Sequence, residues 1–215
     1  PFVLRPSQAF RIASLCGWKM DDGERRFRKF YDEEGKGNGK SPLLAGIGLY
    51  MLMARSRPRA EIYAAGAKRD QAMVLFRDAV AMRDLSPELT ARVTKLGINP
   101  THALVYNGRR GDRRVFKPIS SDDTQSGPRP YAALSDEVHE HRNRNVIEMQ
   151  TRGLAKQPAN SLLALPTNSG HDRTTICWDE HQHAVKASLS AEANAGLDRT
   201  FAFVCALDEG DDWRE

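Results

Sequence analysis

A glycine-rich segment in the first quarter of the chain has the residue types that bind phosphate groups. It comprises Gly35, Lys36, Gly37, Asn38, Gly39, Lys40 and Ser41. Glycines let the backbone curl so that successive N–H groups point at phosphate oxygens. Lys40 is expected to reach the β- and γ-phosphates of ATP, and the Ser41 hydroxyl to bind Mg²⁺. Glu34 stands where the usual motif has its first glycine, and the alternative interpretation is a flexible glycine turn.

An acidic pair further along the chain supplies the other groups that ATP hydrolysis requires. Asp136 and Glu137 follow the apolar residues 131–135, which predict a buried strand. At the end of that strand Asp136 would hold Mg²⁺, and Glu137 would be the base that activates the attacking water. The alternative is an acidic pair that merely caps a strand.

Polar residues also follow a third apolar segment, at Thr167 and Asn168. A polar side chain at such a strand tip can hydrogen-bond the γ-phosphate or the water, and can thereby report hydrolysis to the rest of the protein. A helix cap followed by a glycine turn accounts for the same residues equally well.

Strands and helices alternate along the chain, and this order predicts an α/β fold with a mostly parallel central sheet. Helices are predicted over residues 7–16, 41–54, 68–82, 144–154 and 173–189, with another beginning at Ser86 and Pro87. Strands are predicted over residues 26–33, 60–65, 103–106, 115–119, 131–135, 162–166 and 200–207. The phosphate loop then joins a strand to a helix, and the acidic pair lies at a strand end.

The strands at 103–106 and 115–119 flank a turn that begins Asn107–Gly108, which indicates a hairpin. Its tip carries Arg109, Arg110, Arg113 and Arg114. Arginines on an exposed loop can hold DNA backbone phosphates without reading the bases. The alternatives are a solvated turn or a contact between subunits.

The composition excludes several classes of protein. The chain has 215 residues, of which 40% are hydrophobic and 28% charged, as in a globular domain and unlike a disordered tail or a collagen-like fibre. The apolar run at residues 43–54 is too short to cross a bilayer, so no membrane is expected among the partners. A net charge of +4 is too small by itself to indicate nucleic-acid binding.

Cysteine and histidine residues give no further metal site. The three cysteines are far apart and odd in number, which predicts reduced thiols in a cytosolic protein. The pairs His139/His141 and His181/His183 lack the spacing and the additional ligands of a zinc site. Mg²⁺ is therefore the metal that the sequence leads us to expect.

Taken with several other segments, these motifs resemble those of a known family. The segments are 1–8, 17–18, 35–41, 62–65, 69–72, 134–141, 167–170 and 203–208. Together they resemble the N-terminal ATPase motor domain of the large terminase subunit of tailed bacteriophages, over nearly the whole chain. The resemblance implies a three-layer P-loop NTPase of the additional-strand, catalytic-glutamate class.

The resemblance also implies roles for particular residues. Gln8 would lie near the adenine, and Lys36 takes the place of an arginine that acts on the phosphates in cis. Thr167 and Asn168 match the segment that couples hydrolysis to movement. Arg129, on a proline- and glycine-marked loop, is the candidate for an arginine supplied to a neighbouring subunit; the alternative is Arg142, or a solvated loop arginine.

For the whole protein, the resemblance implies a ring that docks on the procapsid in the cytoplasm of the infected bacterium and pumps double-stranded DNA inward. The portal protein and the small terminase subunit would be its partners. Residues 1–207 would form the motor domain and 208–215 the start of a linker toward a nuclease domain. We find no acidic triad for a nuclease, so cleavage of DNA is expected only of the full-length protein.

Two other functions are compatible with a phosphate loop and an acidic pair. A DNA helicase or translocase of the same ATPase class should have a second motor lobe, for which 215 residues leave no room. A subunit that binds ATP only to assemble a ring would not need Glu137 as a base. Measurement of ATP turnover, with and without DNA, distinguishes these possibilities.

Overall fold

The computed structural model describes residues 3–53, 57–120, 129–141, 144–158, 160–170, 172–189 and 197–206. Within these ranges the α-helices are α1 (Pro6–Gly17), α2 (Lys40–Met53), α3 (Arg69–Asp84), α4 (Pro87–Arg92), α5 (Asn145–Ala155) and α6 (Ile176–Leu189). The strands are β1 (Lys29–Glu33), β2 (Glu61–Gly66), β3 (Val93–Leu96), β4 (Ala103–Asn107), β5 (Arg113–Ser120), β6 (Ala132–Ser135), β7 (Leu162–Thr167) and β8 (Thr200–Val204). Short 3₁₀ turns lie at Arg109–Gly111 and Val138–Glu140.

A sheet of eight strands forms the centre of the fold, in the order β3-β4-β5-β2-β6-β7-β1-β8. Neighbours from β5 to β8 in this order are parallel, and β3 and β4 add antiparallel pairs at one side. Strand β7 lies between β1, which leads into the phosphate loop, and β6, which precedes Asp136. This inserted strand confirms the predicted additional-strand class.

Helices cover both faces of the sheet and complete three layers. Side chains of a strand alternate between the faces, so Phe30 packs in the core under α2 and α3, whereas Tyr31 packs in the core under α5 and α6. Helix α2 lies very close to the sheet, because a Cβ at Gly48 would be 2.6 Å from the Phe116 ring. This close packing holds α2, the helix that begins where the phosphate loop ends, against the sheet.

The predicted elements are present with boundaries shifted by a few residues, and one strand was missed. Ser86 caps α4 as expected, since its Oγ accepts a hydrogen bond from the Leu89 amide at 3.3 Å. The sequence does not predict strand β3, because its apolar pattern is weak. Only Val93 of its four side chains is buried, and the other three are exposed. Pairing with β4 makes it a strand.

The predicted linker at residues 208–215 lies outside the described residues. In the ranges that the structure describes, no helix has both the length and the apolar character to cross a bilayer.

Candidate active site at the carboxyl edge of the sheet

The phosphate loop connects β1 to α2 and has the conformation that its glycines allow. Gly37 and Gly39 have φ angles of +86° and +82°, a left-handed region that costs glycine little and other residues more. Asn38 closes the turn, with its Nδ2 donating to the Gly35 carbonyl at 3.2 Å. Lys36 lies exposed on the same loop. The glycine spacing therefore produces a curled loop at the start of a helix.

Lys40, the first residue of α2, is 6% exposed. Its ammonium donates to the carbonyls of Glu34 and Gly35 at 2.8 and 3.1 Å. It also donates to Asn168 Oδ1 at 2.7 Å. The charge is thus held beside the loop backbone and connected to the segment that follows β7.

Ser41 and Asp136, the two residues predicted to bind Mg²⁺, meet across the site. Ser41 Oγ donates to Asp136 Oδ2 at 2.7 Å. Burial raises the pKa of Asp136, and the hydrogen bonds from Ser41 and the Glu137 amide act against this rise. A hydroxyl and a buried carboxylate are oxygen donors of the kind that Mg²⁺ prefers, and a cation there would favour the ionised acid. The two residues fit the metal.

Glu137 has an unusual backbone conformation beside this pair. Its φ and ψ are both 53°, a left-handed conformation that costs a residue other than glycine about 1–3 kcal/mol and is concentrated at active sites. Its Oε2 accepts from Asn168 Nδ2 at 3.2 Å and lies 3.2 Å from His139 Nδ1. Burial and the neighbouring charge of Asp136 raise the pKa of Glu137, as suits a general base.

The segment after β7 connects these groups. The Asn168 amide contacts Lys40 on one side and Glu137 on the other. Thr167 is buried, and its Oγ1 donates to the Asn168 carbonyl at 2.8 Å and accepts from the His139 amide at 3.1 Å. Asn168 is therefore the residue whose side chain touches Lys40 and Glu137. Thr167 holds the backbone at Asn168 and at His139.

Gln8 reaches the phosphate loop from α1. Its Nε2 donates to the Asn38 carbonyl at 3.4 Å, and its Oε1 accepts from the Arg5 amide at 3.0 Å. A Cβ at Gly39 would lie 3.0 Å from the same Nε2. The structure thus brings Gln8 to the phosphate loop, and its place near the adenine stays a prediction.

Sequence reasoning missed a buried ion cluster behind the loop. Arg11 is 1% exposed, and its Nη1 lies 2.8 Å from both oxygens of Asp32 and 2.6 Å from Glu34 Oε1. Burial raises the pKa of Asp32 to about 6, with Arg11 acting against this rise. Glu34, the acid at the usual glycine position, therefore has an internal partner. The sequence offers one signal for this cluster: Arg11 lies three residues after Gln8, so both side chains lie on the same face of the predicted helix and could face the phosphate loop.

The arginines predicted to face partners divide into different environments. Arg129 is exposed, and its backbone carbonyl accepts from Gln157 Nε2 at 3.0 Å. Its alternative, Arg142, lies outside the described residues.

The hairpin of β4 and β5 is present, with a 3₁₀ turn at its tip. Arg109 and Arg113 are exposed, and Arg110 lies in the 3₁₀ turn. Arg114 differs, because it is partly buried and pairs with Asp112 at 2.6 Å. Its Nη1 also donates to the carbonyls of residues 52 and 53 at 3.3 and 2.9 Å. The guanidinium of Arg114 thus joins the hairpin to the end of α2.

Comparison with solved structures shows the same fold in phage proteins. The crystal structure of the HK97 bacteriophage large terminase matches with a TM-score of 0.79 and 22% identity, over 99% of this chain and 41% of that one. The Thermus phage P74-26 large terminase ATPase domain matches with a TM-score of 0.59 and 17% identity, over 93% and 86% of the two chains. The chain thus spans about two fifths of the HK97 protein.

A third structure contains a nucleotide analogue. It is the large terminase of a thermophilic bacteriophage in complex with ATP-gamma-S, with a TM-score of 0.50 and 12% identity over 73% of this chain and 36% of that one. The comparison with curated protein sequences gave no match. The family model described as the terminase large subunit, ATPase domain, matches residues 6–186. The chain belongs to the family of terminase large subunit ATPase domains.

Proposed function

We propose that this chain hydrolyses ATP with Mg²⁺ and that the hydrolysis drives translocation of double-stranded DNA into a procapsid. The observation that carries the proposal is the position of Asn168, whose amide contacts both Lys40 and Glu137. This contact brings the phosphate loop and the candidate base to one place at the carboxyl ends of parallel strands, where ligands bind in open α/β sheets.

The chemistry follows from the residues around that place. The loop N–H groups and Lys40 would bind the β- and γ-phosphates, and the N-terminus of α2 would add its positive dipole end. Gln8 would lie near the adenine of the nucleotide. Ser41 and Asp136 would hold Mg²⁺, which when bound neutralises charge on the phosphate oxygens.

Hydrolysis also requires a water molecule in line with the γ-phosphate. Glu137 would orient that water and accept its proton, since its raised pKa makes it a better proton acceptor than an ordinary carboxylate. Asn168 would contact the γ-phosphate or the water, so loss of the γ-phosphate on hydrolysis would shift Asn168 and the adjacent Thr167. Lys36, exposed on the loop, would supply a cation to the phosphates in cis, without the paired hydrogen bonds of an arginine.

Translocation of DNA would require other subunits and DNA itself. The family supports a ring of such subunits at the portal protein, supplied with DNA by a small terminase subunit, in the cytoplasm of an infected bacterium. Arg129 is proposed to act on the site of a neighbouring subunit. Arg109, Arg110 and Arg113 are proposed to touch DNA phosphates, and Arg114 would hold the hairpin in place.

ATP turnover by the purified chain, with and without double-stranded DNA, tests this function. We expect Lys40→Ala to abolish detectable ATP binding and turnover, because it removes the cation beside the phosphates. Lys186→Ala is the matched control, since it removes the same charge from an exposed position on α6. ATP binding without turnover in the parent chain would favour the nucleotide-switched assembly subunit instead.

A further inference from the structure

Glu33, the last residue of β1, makes a set of hydrogen bonds on the face of the sheet opposite the Arg11 cluster. It is 3% exposed. Its Oε2 accepts from the Tyr31 hydroxyl at 2.7 Å and lies 2.8 Å from His181 Nδ1. Its Oε1 accepts from Ser169 Oγ at 2.8 Å. One buried carboxylate thus connects β1, α6 and the segment that follows β7.

Glu33 is ionised in this setting. Burial alone favours the neutral acid, but the hydrogen bonds from Tyr31, His181 and Ser169 outweigh burial and lower the pKa of Glu33. A hydrogen bond to an ionised acceptor is about twice as strong as one between neutral groups. The contact between Ser169 and Glu33 is therefore a strong one.

The segment that Ser169 belongs to borders open space. Ser169 and Gly170 line a cavity of about 1140 Å³ on the side of α5 and a second of about 450 Å³ on the side of β8. Both residues are exposed. Because this short segment borders open space, its hydrogen bonds help to determine its position. The bond from Ser169 to Glu33 joins it to the rigid sheet.

We propose that Glu33 is a positioning residue for ATP hydrolysis, a role that rests on the proposed function. Glu33 holds Ser169, and Ser169 fixes the backbone of the adjacent Asn168. The Asn168 amide is then kept between Lys40 and Glu137, at 2.7 and 3.2 Å. Hydrolysis depends steeply on such placement, whereas the binding of ATP to the loop does not require it.

Ser169→Ala and Ser169→Thr form the test, measured by steady-state ATP turnover. Loss of the hydroxyl should lower kcat about tenfold to a hundredfold, because a hydrogen bond to a charged group is lost. KM for ATP should stay within about twofold, since the loop is unchanged. Ser169→Thr keeps the hydroxyl and should restore most of kcat. Ser188→Ala, which removes a hydroxyl bonded to a carbonyl within α6, is the matched control.

Glu33→Gln extends the test to the carboxylate itself. It should lower kcat by a similar factor. The double variant with Ser169→Ala should have a kcat only slightly below that of the slower single variant, because both changes disrupt the same Ser169–Glu33 hydrogen bond. Should Glu33→Gln fail to fold, the two Ser169 variants and their control still decide the matter.

Three outcomes would overturn the positioning role. They are a kcat for Ser169→Ala equal to that of Ser188→Ala, a rise in KM at unchanged kcat, or a loss that Ser169→Thr does not restore. Failure of the proposed function is recognised separately, because the parent chain would then turn over no more ATP than Lys40→Ala. Turnover that disappears in Lys40→Ala but stays at the parental level in Ser169→Ala contradicts the positioning role alone.

Discussion

The charged side chains at the carboxyl edge of the sheet differ in their surroundings from the arginines proposed to meet partners. At the edge, Lys40 and Arg11 are nearly buried and contact carbonyls or carboxylates of the same chain. Arg129, Arg109 and Arg113 are exposed. The first set is placed by the fold before any ligand binds, whereas the second can be positioned by a neighbouring subunit or by DNA.

This difference shows why the two sets should respond differently to substitution. A buried charge fixes local geometry, and its removal should change stability or the chemical step within one subunit. An exposed arginine that serves a partner should be dispensable in the isolated subunit and should matter only in the assembly. Arg114 belongs with the first set despite its place in the hairpin, because it pairs with Asp112.

The largest effect is expected at Arg129, if its partner is a neighbouring active site. Arg129→Ala should lower the ATPase activity of the assembled ring by about 10³–10⁵, the range measured for arginines supplied in trans. Mixing Arg129→Ala with Lys40→Ala subunits should restore activity, since each supplies what the other lacks. Unchanged ATPase activity of a ring assembled only from Arg129→Ala subunits would place this arginine outside the reaction.

Glu137→Gln should separate binding from hydrolysis within one subunit. Loss of the base should lower kcat by about 10²–10⁴, while the phosphate loop keeps its affinity for ATP. Single-turnover hydrolysis and the binding of a fluorescent ATP analogue measure the two quantities. Near-normal hydrolysis by this variant would contradict the assignment of Glu137 as the base.

Arg11→Met tests the buried cluster through stability. Removal of the guanidinium leaves Asp32 and Glu34 buried without their partner, which should cost about 3–5 kcal/mol in the free energy of unfolding. Arg152→Met, which breaks an exposed pair with Glu148, should cost about 0.5 kcal/mol or less. Urea unfolding measures both.

The same cluster gives an expected pH dependence for the Arg11→Met variant. Burial already raises the folded-state pKa of Asp32 to about 6. Without Arg11 it should lie still further above the unfolded value, so the folded state binds a proton there more tightly. The penalty is then present above the folded-state pKa and is relieved as pH falls through it. Equal losses of stability at pH values above and below that range would contradict this account.

The smallest effect is expected at the hairpin. Arg109→Ala with Arg113→Ala should weaken DNA binding at low salt and lower the slope of log affinity against log salt by about two units, one for each phosphate contact. Arg77→Ala with Arg152→Ala removes the same charge from exposed positions on α3 and α5. Equal slopes for the two double variants would show that the hairpin makes no specific contact with DNA phosphates.

Short segments of the sequence were enough to predict the fold class and to name candidate residues that the structure brings together. The glycine spacing at residues 35–39 determines a curled loop because only glycine adopts its two left-handed positions readily. Apolar strands followed directly by Asp136 or Thr167 place these residues at one edge once the strands are parallel. Each of these motifs lies within a few neighbouring residues, so it can be found in the sequence alone.

Only the tertiary structure decided which distant residues meet. Ser169 and Glu33 are 136 positions apart in the chain, and His181 and Glu33 are 148 apart. Arg11 and Glu34 come together because α1 packs beside the end of β1, and β3 is a strand because β4 pairs with it. Such contacts depend on burial and on strand order, and neither is encoded in the spacing of residues along one segment.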